Sequence, residues 1–139
     1  GKFACTFEFV GSRLGFEEAK PAYHVADCAK NVAVVVGETR SARTVNPNDL
    51  PKLSVRISKN DKVIGTGYGE SGSYRSSPME SMTWLVNYLS SQGVALRQGD
   101  VVVTGACTLT KDIEYGATYT ATFDGIGSVS CQLKHRSKV

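Results

Sequence analysis

The segment Ser77-Pro78-Met79-Glu80 marks the start of a helix within an otherwise strand-rich sequence. Serine can cap the helix, proline fits the first helical position, and Glu80 completes a capping box. Gly93 then suits a left-handed C-cap. Between these ends an apolar stripe follows helical spacing, and Trp84 and Tyr88 widen it as expected core residues. Its members are Met82, Leu85, Val86 and Leu89.

Most of the other apolar residues are arranged as strands. Alternation from Phe3 to Val10 predicts a strand, and the run Val32–Val36 predicts one buried on both faces. Two alternating segments around Lys59–Lys62 are typical of a hairpin. Further strands are expected over Val101–Val103, Thr118–Phe123 and Ile126–Leu133, with Glu38–Pro51 as a surface loop. These elements predict a β-rich α+β domain with one prominent helix.

Length and composition are those of one globular domain. The chain has 139 residues, of which 41% are hydrophobic, so we expect a single domain over residues 1–139. No apolar run reaches the roughly 18 residues that span a bilayer, and no signal peptide is recognisable. We therefore expect no membrane partner and a cytoplasmic location. The chain enters directly into the apolar Phe3–Phe7, which suggests a missing N-terminal portion, where a mitochondrial address could lie.

Cysteines and charges favour an intracellular protein that does not bind nucleic acid. Cys5, Cys28, Cys107 and Cys131 form no C-x-x-C pair, which favours free, mostly buried thiols over disulfides or zinc. The net charge is +3, and the basic residues concentrate only in the tail Lys134–Lys138. Because no aromatic residues interleave with those charges, a solvated terminus is favoured over a nucleic-acid arm.

Two familiar catalytic or cofactor patterns receive little support. Gly67–Gly72 matches G-x-G-x-x-G, but the next helix starts only at Pro78 and no βαβ unit surrounds the motif. We attribute these glycines to a strand that bends or lets another backbone approach closely. No serine or cysteine stands in a nucleophile elbow, and His24 and His135 lie far apart, so a hydrolytic triad is not indicated.

Two carboxylates stand in apolar surroundings. Glu8 follows Phe7, and Asp27 follows Val25-Ala26. Carboxylates in such settings are usually paired, hydrogen-bonded or metal-bound. In the simplest interpretation Glu8 pairs with Arg13 and Asp27 caps a turn. The residues alone leave the choice between this interpretation and a functional site open.

Several segments together resemble the 2-keto-4-pentenoate hydratases of the fumarylacetoacetate hydrolase superfamily, over nearly the whole chain and in the family's order and spacing. These segments are Phe7–Leu14, Val25–Asp27, Trp84-Leu85, Leu96–Gly105 and Gly125–Val129. The resemblance implies the C-terminal part of such a protein. It further implies a mixed β-roll or barrel-like fold and assembly into homo-oligomers.

The resemblance also implies a site in which three carboxylates hold Mg²⁺ or Mn²⁺. Both ions prefer hard oxygen ligands. Glu8 matches the ligand of the family's E-x-x-x-S-R segment, whereas the upstream E-x-E pair has no match in this sequence. In the family reaction the metal chelates a small 2-oxo acid and water adds across its distal double bond. One carboxylate alone would hold the ion weakly.

The other expected site residues come from the same resemblance. The family's A-D-N-A-S stretch becomes Ala26–Lys30, which retains Asp27 and replaces the polar asparagine and serine. Lys30 either supplies a cation for a substrate carboxylate or fills the space of the substrate, and we favour the second. Thr104 and Gly105 match a strand end beside the substrate. We assign Asp27 and Lys30 as catalytic candidates and Thr104 and Gly105 as substrate-binding candidates.

Three functions are compatible with these assignments. The first is part of a metal-dependent hydratase that lacks ligands in this chain, which alone would be inactive. The second is an inactive homologue with a structural or assembly role. The third is related chemistry, 2-oxo acid decarboxylation or acylpyruvate hydrolysis.

Overall fold

The computed structural model describes residues 1–14, 20–70, 77–109 and 112–135. The strands are β1 (Lys2–Val10), β2 (Asn31–Ser41), β3 (Ser54–Lys59), β4 (Lys62–Tyr68), β5 (Thr118–Phe123) and β6 (Gly127–Gln132). The α-helices are α1 (Pro21–Ala26) and α2 (Pro78–Ser91), and a 3-10 helix covers Pro47–Lys52. The α+β class predicted from the sequence is confirmed at this level.

Two antiparallel sheets enclose the core. β1 pairs with β2, and the second sheet has the order β4-β3-β5-β6. The buried centre comprises Cys5 of β1, Ala121 of β5, and Ile126 and Val129 from the last hairpin. Inward-facing side chains pack around it from both sheets, among them Phe3, Phe7, Val35, Ile57 and Phe123. The alternation along Phe3–Val10 thus places its aromatic side against the core.

Helix α2 begins and ends as its local sequence predicts. The Ser77 hydroxyl accepts from the Glu80 amide at 3.1 Å, and the Glu80 carboxylate accepts from the Ser77 amide at 3.1 Å. Gly93 adopts φ 70°, and the Val94 amide donates to the Leu89 carbonyl in a Schellman arrangement. The core assignment of two aromatics was wrong: Trp84 is 66% exposed and Tyr88 51% exposed, stacked on each other.

The predicted hairpin around Lys59–Lys62 is confirmed, and the last two strands form a second hairpin. β3 and β4 are joined by a tight turn in which Asn60 and Asp61 have positive φ, which these two residue types tolerate better than most. β5 and β6 are joined at Asp124-Gly125, where Gly125 has φ 72°. Hairpin signals are local in sequence, so they need no knowledge of the rest of the fold.

Three expectations about longer segments were wrong. The run Val32–Val36 lies in β2 but is not buried on both faces, because Val32 is 55% and Val36 47% exposed. Glu38–Pro51 is not wholly a loop, since β2 continues to Ser41 and a 3-10 helix starts at Pro47. Val101–Val103 forms no strand. A strand needs a neighbour as well as β-forming residues, and no pairing partner is found for it among the described residues.

The strand glycines serve close backbone contacts. A Cβ on Gly67 would lie 1.8 Å from the Cys107 carbonyl oxygen, and one on Gly69 would lie 1.7 Å from that of Leu50. This confirms the close approach expected for these glycines. Ser71 and Gly72, at the end of the motif, lie outside the described residues.

The four cysteines carry free thiols, of which Cys5 is buried and Cys28 exposed. Lys134 and His135 at the start of the basic tail are exposed, and 136–138 lie outside the described residues. Among the described residues, no helix is long and apolar enough to cross a membrane.

Candidate functional site

Glu8 lies on β1 on the side away from the buried core. Its side chain is exposed, and its Oε1 accepts a hydrogen bond of 2.7 Å from the side-chain amide of Asn31 at the start of β2. The predicted pairing of Glu8 with Arg13 was wrong. An amide donor fixes the direction of the carboxylate and adds no charge.

Asp27, at the end of α1, is the partner of Arg13. The Arg13 Nη1 lies 2.9 Å from the Asp27 Oδ1, and the Arg13 backbone amide donates to Oδ2 at 3.1 Å. The Asp27 side chain is only 3% exposed, whereas that of Arg13 is 51% exposed. Asp27 does occupy a cap position, since its backbone amide donates to the Tyr23 and Val25 carbonyls at the end of α1, but its carboxylate makes no capping bond.

The pKa of Asp27 is lowered from its ordinary value. The hydrogen bond from the Arg13 side chain is the main cause, and the Arg13 backbone amide and charge act in the same direction. Burial opposes the shift but does not outweigh it. Asp27 is therefore an ionised carboxylate whose negative charge is already matched within the chain.

Arg13 also holds the turn that follows Asp27. Cys28, Ala29 and Lys30 have φ values of 51°, 54° and 65°, a left-handed conformation that costs non-glycine residues roughly 1–2 kcal/mol each. Arg13 Nη1 donates to the Asp27 carbonyl at 3.2 Å and Nη2 to the Asn31 carbonyl at 2.6 Å. The guanidinium thus contacts both ends of the strained turn.

A cavity of about 320 Å³ lies between β1, the second sheet and the segments 103–109 and 112–113. Glu8 and Gly105 line it, so the structure brings one metal candidate and one substrate candidate together. Asp27, Lys30 and Thr104 are not among its described lining residues. Most of the wall is apolar, with Phe7, Phe9, Val55, Ile57, Tyr119 and Phe123 as its larger members.

Two cysteines at this cavity are poor nucleophiles. Burial raises the pKa of Cys107 and of Cys131, so both thiols stay protonated at neutral pH. Burial and the nearby Glu38 charge raise the pKa of Cys5 in the core to about 11. The thiols of Cys107 and Cys131 are therefore poor candidates for nucleophiles in this cavity.

The described residues do not by themselves form the metal site that the resemblance implies. No group of three or more His, Cys, Asp or Glu side chains converges anywhere among them. Glu8 offers one carboxylate, and Asp27 is engaged by Arg13. Mg²⁺ and Mn²⁺ need several oxygen ligands, so the described residues alone would hold such an ion only weakly.

Sequence reasoning did not identify Asn31 or the apolar cavity wall as parts of this region. Asn31 reaches Glu8 because β2 starts opposite the end of β1, where Val10 pairs with Asn31. No local sequence pattern predicts this pairing. The wall could have been found in part, since Phe7 and Phe9 share the predicted inward face of β1.

Comparisons with known proteins agree on one group of enzymes, although no protein-family model matches the chain. The chain is 28% identical over 127 residues to 2-hydroxyhexa-2,4-dienoate hydratase of Comamonas testosteroni. This alignment covers 91% of the chain and 47% of that protein. The chain is 30% identical over 122 residues to a 2-keto-4-pentenoate hydratase of Burkholderia vietnamiensis, over 88% of this chain and 45% of that protein.

A solved structure shares the fold. 4-Oxalocrotonate decarboxylase from Pseudomonas putida G7, complexed with magnesium and adipate, matches with a TM-score of 0.80 and 29% identity. The match covers 94% of this chain and 48% of that one. The chain thus spans about half the length of the relatives it matches.

Proposed function

Because this chain belongs to the family of the 2-keto-4-pentenoate hydratases, which also contains 4-oxalocrotonate decarboxylase, we propose that it is part of a hydratase that adds water to a 2-hydroxydienoate. The observation that carries the choice is the cavity at Glu8 and Gly105, with its mostly apolar wall. Apolar pockets with few polar groups bind the hydrocarbon part of a small ligand and fix its polar end.

Charge in the cavity favours the hydratase over the decarboxylase. Its described lining contains the carboxylates Glu8 and Asp112 and no lysine, arginine or histidine. 4-Oxalocrotonate carries a carboxylate at each end, and the distal one would meet no positive charge on these walls. A dienoate carries one carboxylate, so its distal end suits an apolar wall.

Water addition requires proton transfer and a fixed orientation of the substrate. It has no leaving group and no overall change of oxidation state. The hydroxyl bonds to one carbon of the distal double bond and a proton to the other. In this proposal Glu8 acts from the strand that forms one wall of the cavity, with its carboxylate turned away from the core and bonded to Asn31. Gly105 lets the backbone approach the substrate, with Thr104 beside it. Asp27 contributes by holding the turn that carries Lys30, through its contacts with Arg13.

The remaining parts of the proposal follow from the family resemblance. They are a Mg²⁺ or Mn²⁺ ion completed by carboxylates outside this chain, a β-roll as the detailed fold, and a small 2-oxo acid as ligand. Homo-oligomers and a cytoplasmic location belong to it as well. So does a single domain over residues 1–139 that represents the C-terminal portion of the parent protein.

A second candidate is an inactive homologue with an assembly role. It is favoured by the single carboxylate that Glu8 supplies, by the engagement of Asp27 with Arg13, and by Cys28 and Lys30 in place of the family's asparagine and serine. This candidate predicts no turnover even when the complete protein is assayed.

The test follows the loss of dienol absorbance on adding 2-hydroxypenta-2,4-dienoate with Mg²⁺, and carbon dioxide release from 4-oxalocrotonate in parallel. We expect hydration by the protein translated from the complete reading frame, its loss in Glu8→Gln, and none by residues 1–139 alone. Faster carbon dioxide release would establish the decarboxylase. Absence of both reactions in the complete protein would establish the inactive homologue.

A further inference from the structure

One face of the second sheet forms a floor to the cavity that Glu8 lines. Directly opposed residues of an antiparallel pair share a face, so Val55 lies beside Phe123 and Ile57 beside Ala121. The pairing of β5 with β6 continues the same face across the last strand. We call the members of this face that line the cavity the floor, and they are Val55, Ile57, Tyr119, Ala121, Phe123 and Cys131.

The floor offers no charge to a ligand. Its two members with polar atoms are Tyr119 and Cys131. The Tyr119 hydroxyl already accepts a hydrogen bond of 2.9 Å from the Glu114 amide. Burial raises the pKa of the Cys131 thiol, which therefore stays neutral. The other four side chains are hydrocarbon, so a hydrocarbon group is what this floor matches best.

The floor is also shielded from bulk water. Val55 is 1%, Ala121 2% and Tyr119 4% exposed. Binding strengthens with the apolar area that a ligand removes from water. Each methylene group that a ligand buries on such a surface therefore changes its affinity by about fourfold.

The segment 103–109 bounds the cavity and is packed directly on β4. A Cβ on Gly67 would fall 1.8 Å from the carbonyl oxygen of Cys107, so the two backbones are in close contact there. Where this segment lines the cavity it includes Gly105 and Ala106, which have little or no side chain. These small residues leave room for a ligand above the floor.

The cavity is larger than the smallest dienoate needs. Its volume of about 320 Å³ falls within the range of roughly 300–1,000 Å³ that is typical of pockets for drug-sized ligands. 2-Hydroxypenta-2,4-dienoate is a five-carbon chain that includes its carboxylate, and it is much smaller than such ligands. Its polar end carries the carboxylate and the 2-hydroxyl group. A larger substrate would therefore extend from the distal carbon.

We propose that this cavity selects dienoates whose distal carbon carries a hydrocarbon substituent larger than methyl, and that this substituent lies on the floor. The inference rests on the proposed hydratase function, because it concerns the same cavity, and it adds the floor as the determinant of substrate size. A charged substituent is disfavoured, since the floor has no partner for it.

A substrate series tests the selection. The protein from the complete reading frame is assayed with Mg²⁺ on 2-hydroxypenta-2,4-dienoate and on its distal methyl, propyl and phenyl derivatives. We expect kcat/KM for the propyl and phenyl compounds to be at least about tenfold higher than for the unsubstituted one. Equal or lower values for both would overturn the inference and leave the hydratase function standing. Hydration of none of the four would overturn the hydratase function and the inference with it.

Cys131→Leu tests the floor itself, because it adds side-chain volume at the cavity. We expect the ratio of kcat/KM for the propyl compound to that for the unsubstituted one to fall by at least about fivefold. The matched control Val63→Leu enlarges a β4 residue that is 52% exposed and is not among the described lining residues, and it should leave the ratio unchanged. An unchanged ratio in Cys131→Leu would overturn the role of the floor. Ile57→Phe repeats this test if Cys131→Leu fails to fold.

Discussion

Arg13 contacts both ends of the left-handed turn Cys28–Lys30 and neutralises the buried Asp27. We predict that Arg13→Gln lowers the midpoint of thermal unfolding, because it leaves the Asp27 carboxylate with little compensation. Arg13→Lys should recover only part of the loss, since one ammonium cannot reach all three acceptors. The control is Arg56→Gln, whose pair with Asp124 spans 3.9 Å between exposed groups and should matter little. Equal effects of the two glutamine substitutions would contradict the assignment.

The lowered pKa of Asp27 predicts a pH dependence of stability. A carboxyl whose pKa is lower in the folded state stabilises the fold above its ordinary pKa of 3.8, and this contribution is lost as the pH falls toward the folded-state value. The difference in free energy of unfolding between the wild type and Asp27→Asn should therefore be full at pH 7 and shrink below about pH 4. Urea unfolding at both pH values measures it. A difference that grows on acidification would refute the shift.

The residues in this region were only partly predictable. Glu8 and Asp27 stood out because charged groups in apolar segments need partners. Which partner each has depends on how residues far apart in sequence meet, such as Arg13 and Asp27 at a separation of 14 positions. Local pattern placed Arg13 with the nearby Glu8, and the fold placed it with Asp27.

At the scale of elements, α2 depends on its capping box. We predict that Ser77→Ala costs about 1 kcal/mol of unfolding free energy, because the Glu80 amide loses its acceptor. Ser90→Ala, at an exposed position near the end of the same helix, is the matched control and should be neutral or slightly stabilising. Denaturant unfolding of both variants gives the comparison. A loss in Ser90→Ala as large as in Ser77→Ala would argue against the cap.

The glycines of β4 and its exit make a second prediction for elements. Gly69→Ala should cost about 2 kcal/mol or more, because its Cβ would fall 1.7 Å from the Leu50 carbonyl oxygen and the backbone would have to shift. At Gly11 a Cβ would meet only the Val32 side chain, at 3.3 Å, so Gly11→Ala should cost much less. Differential scanning calorimetry compares the two. Similar melting points for both variants would mean that the contact at Gly69 is not tight.

Elements whose signals are local were predicted well, whereas coverage by other elements and the lack of a pairing partner for Val101–Val103 were not. The capping box, Gly93 and the hairpin turns are fixed by neighbouring residues. Val101–Val103 has the composition of a strand, but composition does not supply a pairing partner. Trp84 and Tyr88 continue the apolar stripe of α2, but the stripe alone does not say how much of the helix another element covers.

For the whole molecule, the continuous valine run of β2 was interpreted as a strand covered on both faces, and the structure covers one. A run of valines shows how much apolar surface a strand has, and not whether another element packs on each of its faces. Glu8 is a similar case: the resemblance gives it the position of a metal ligand, and among the described residues it belongs to no group of three or more His, Cys, Asp or Glu side chains that could hold a metal ion.

Because its candidate metal site is incomplete, we expect this chain alone not to bind a metal ion tightly. We predict that calorimetric titration of residues 1–139 with Mn²⁺ shows no saturable binding, because one carboxylate, already bonded to Asn31, offers too few oxygen ligands. Glu8→Gln should give the same trace as the wild type. In the complete protein, by contrast, Mn²⁺ should bind and Glu8→Gln should weaken it, since removing one ligand from a shared set lowers affinity. Saturable binding by the 139-residue chain that Glu8→Gln abolishes would show that the chain completes the site by itself or with a second copy.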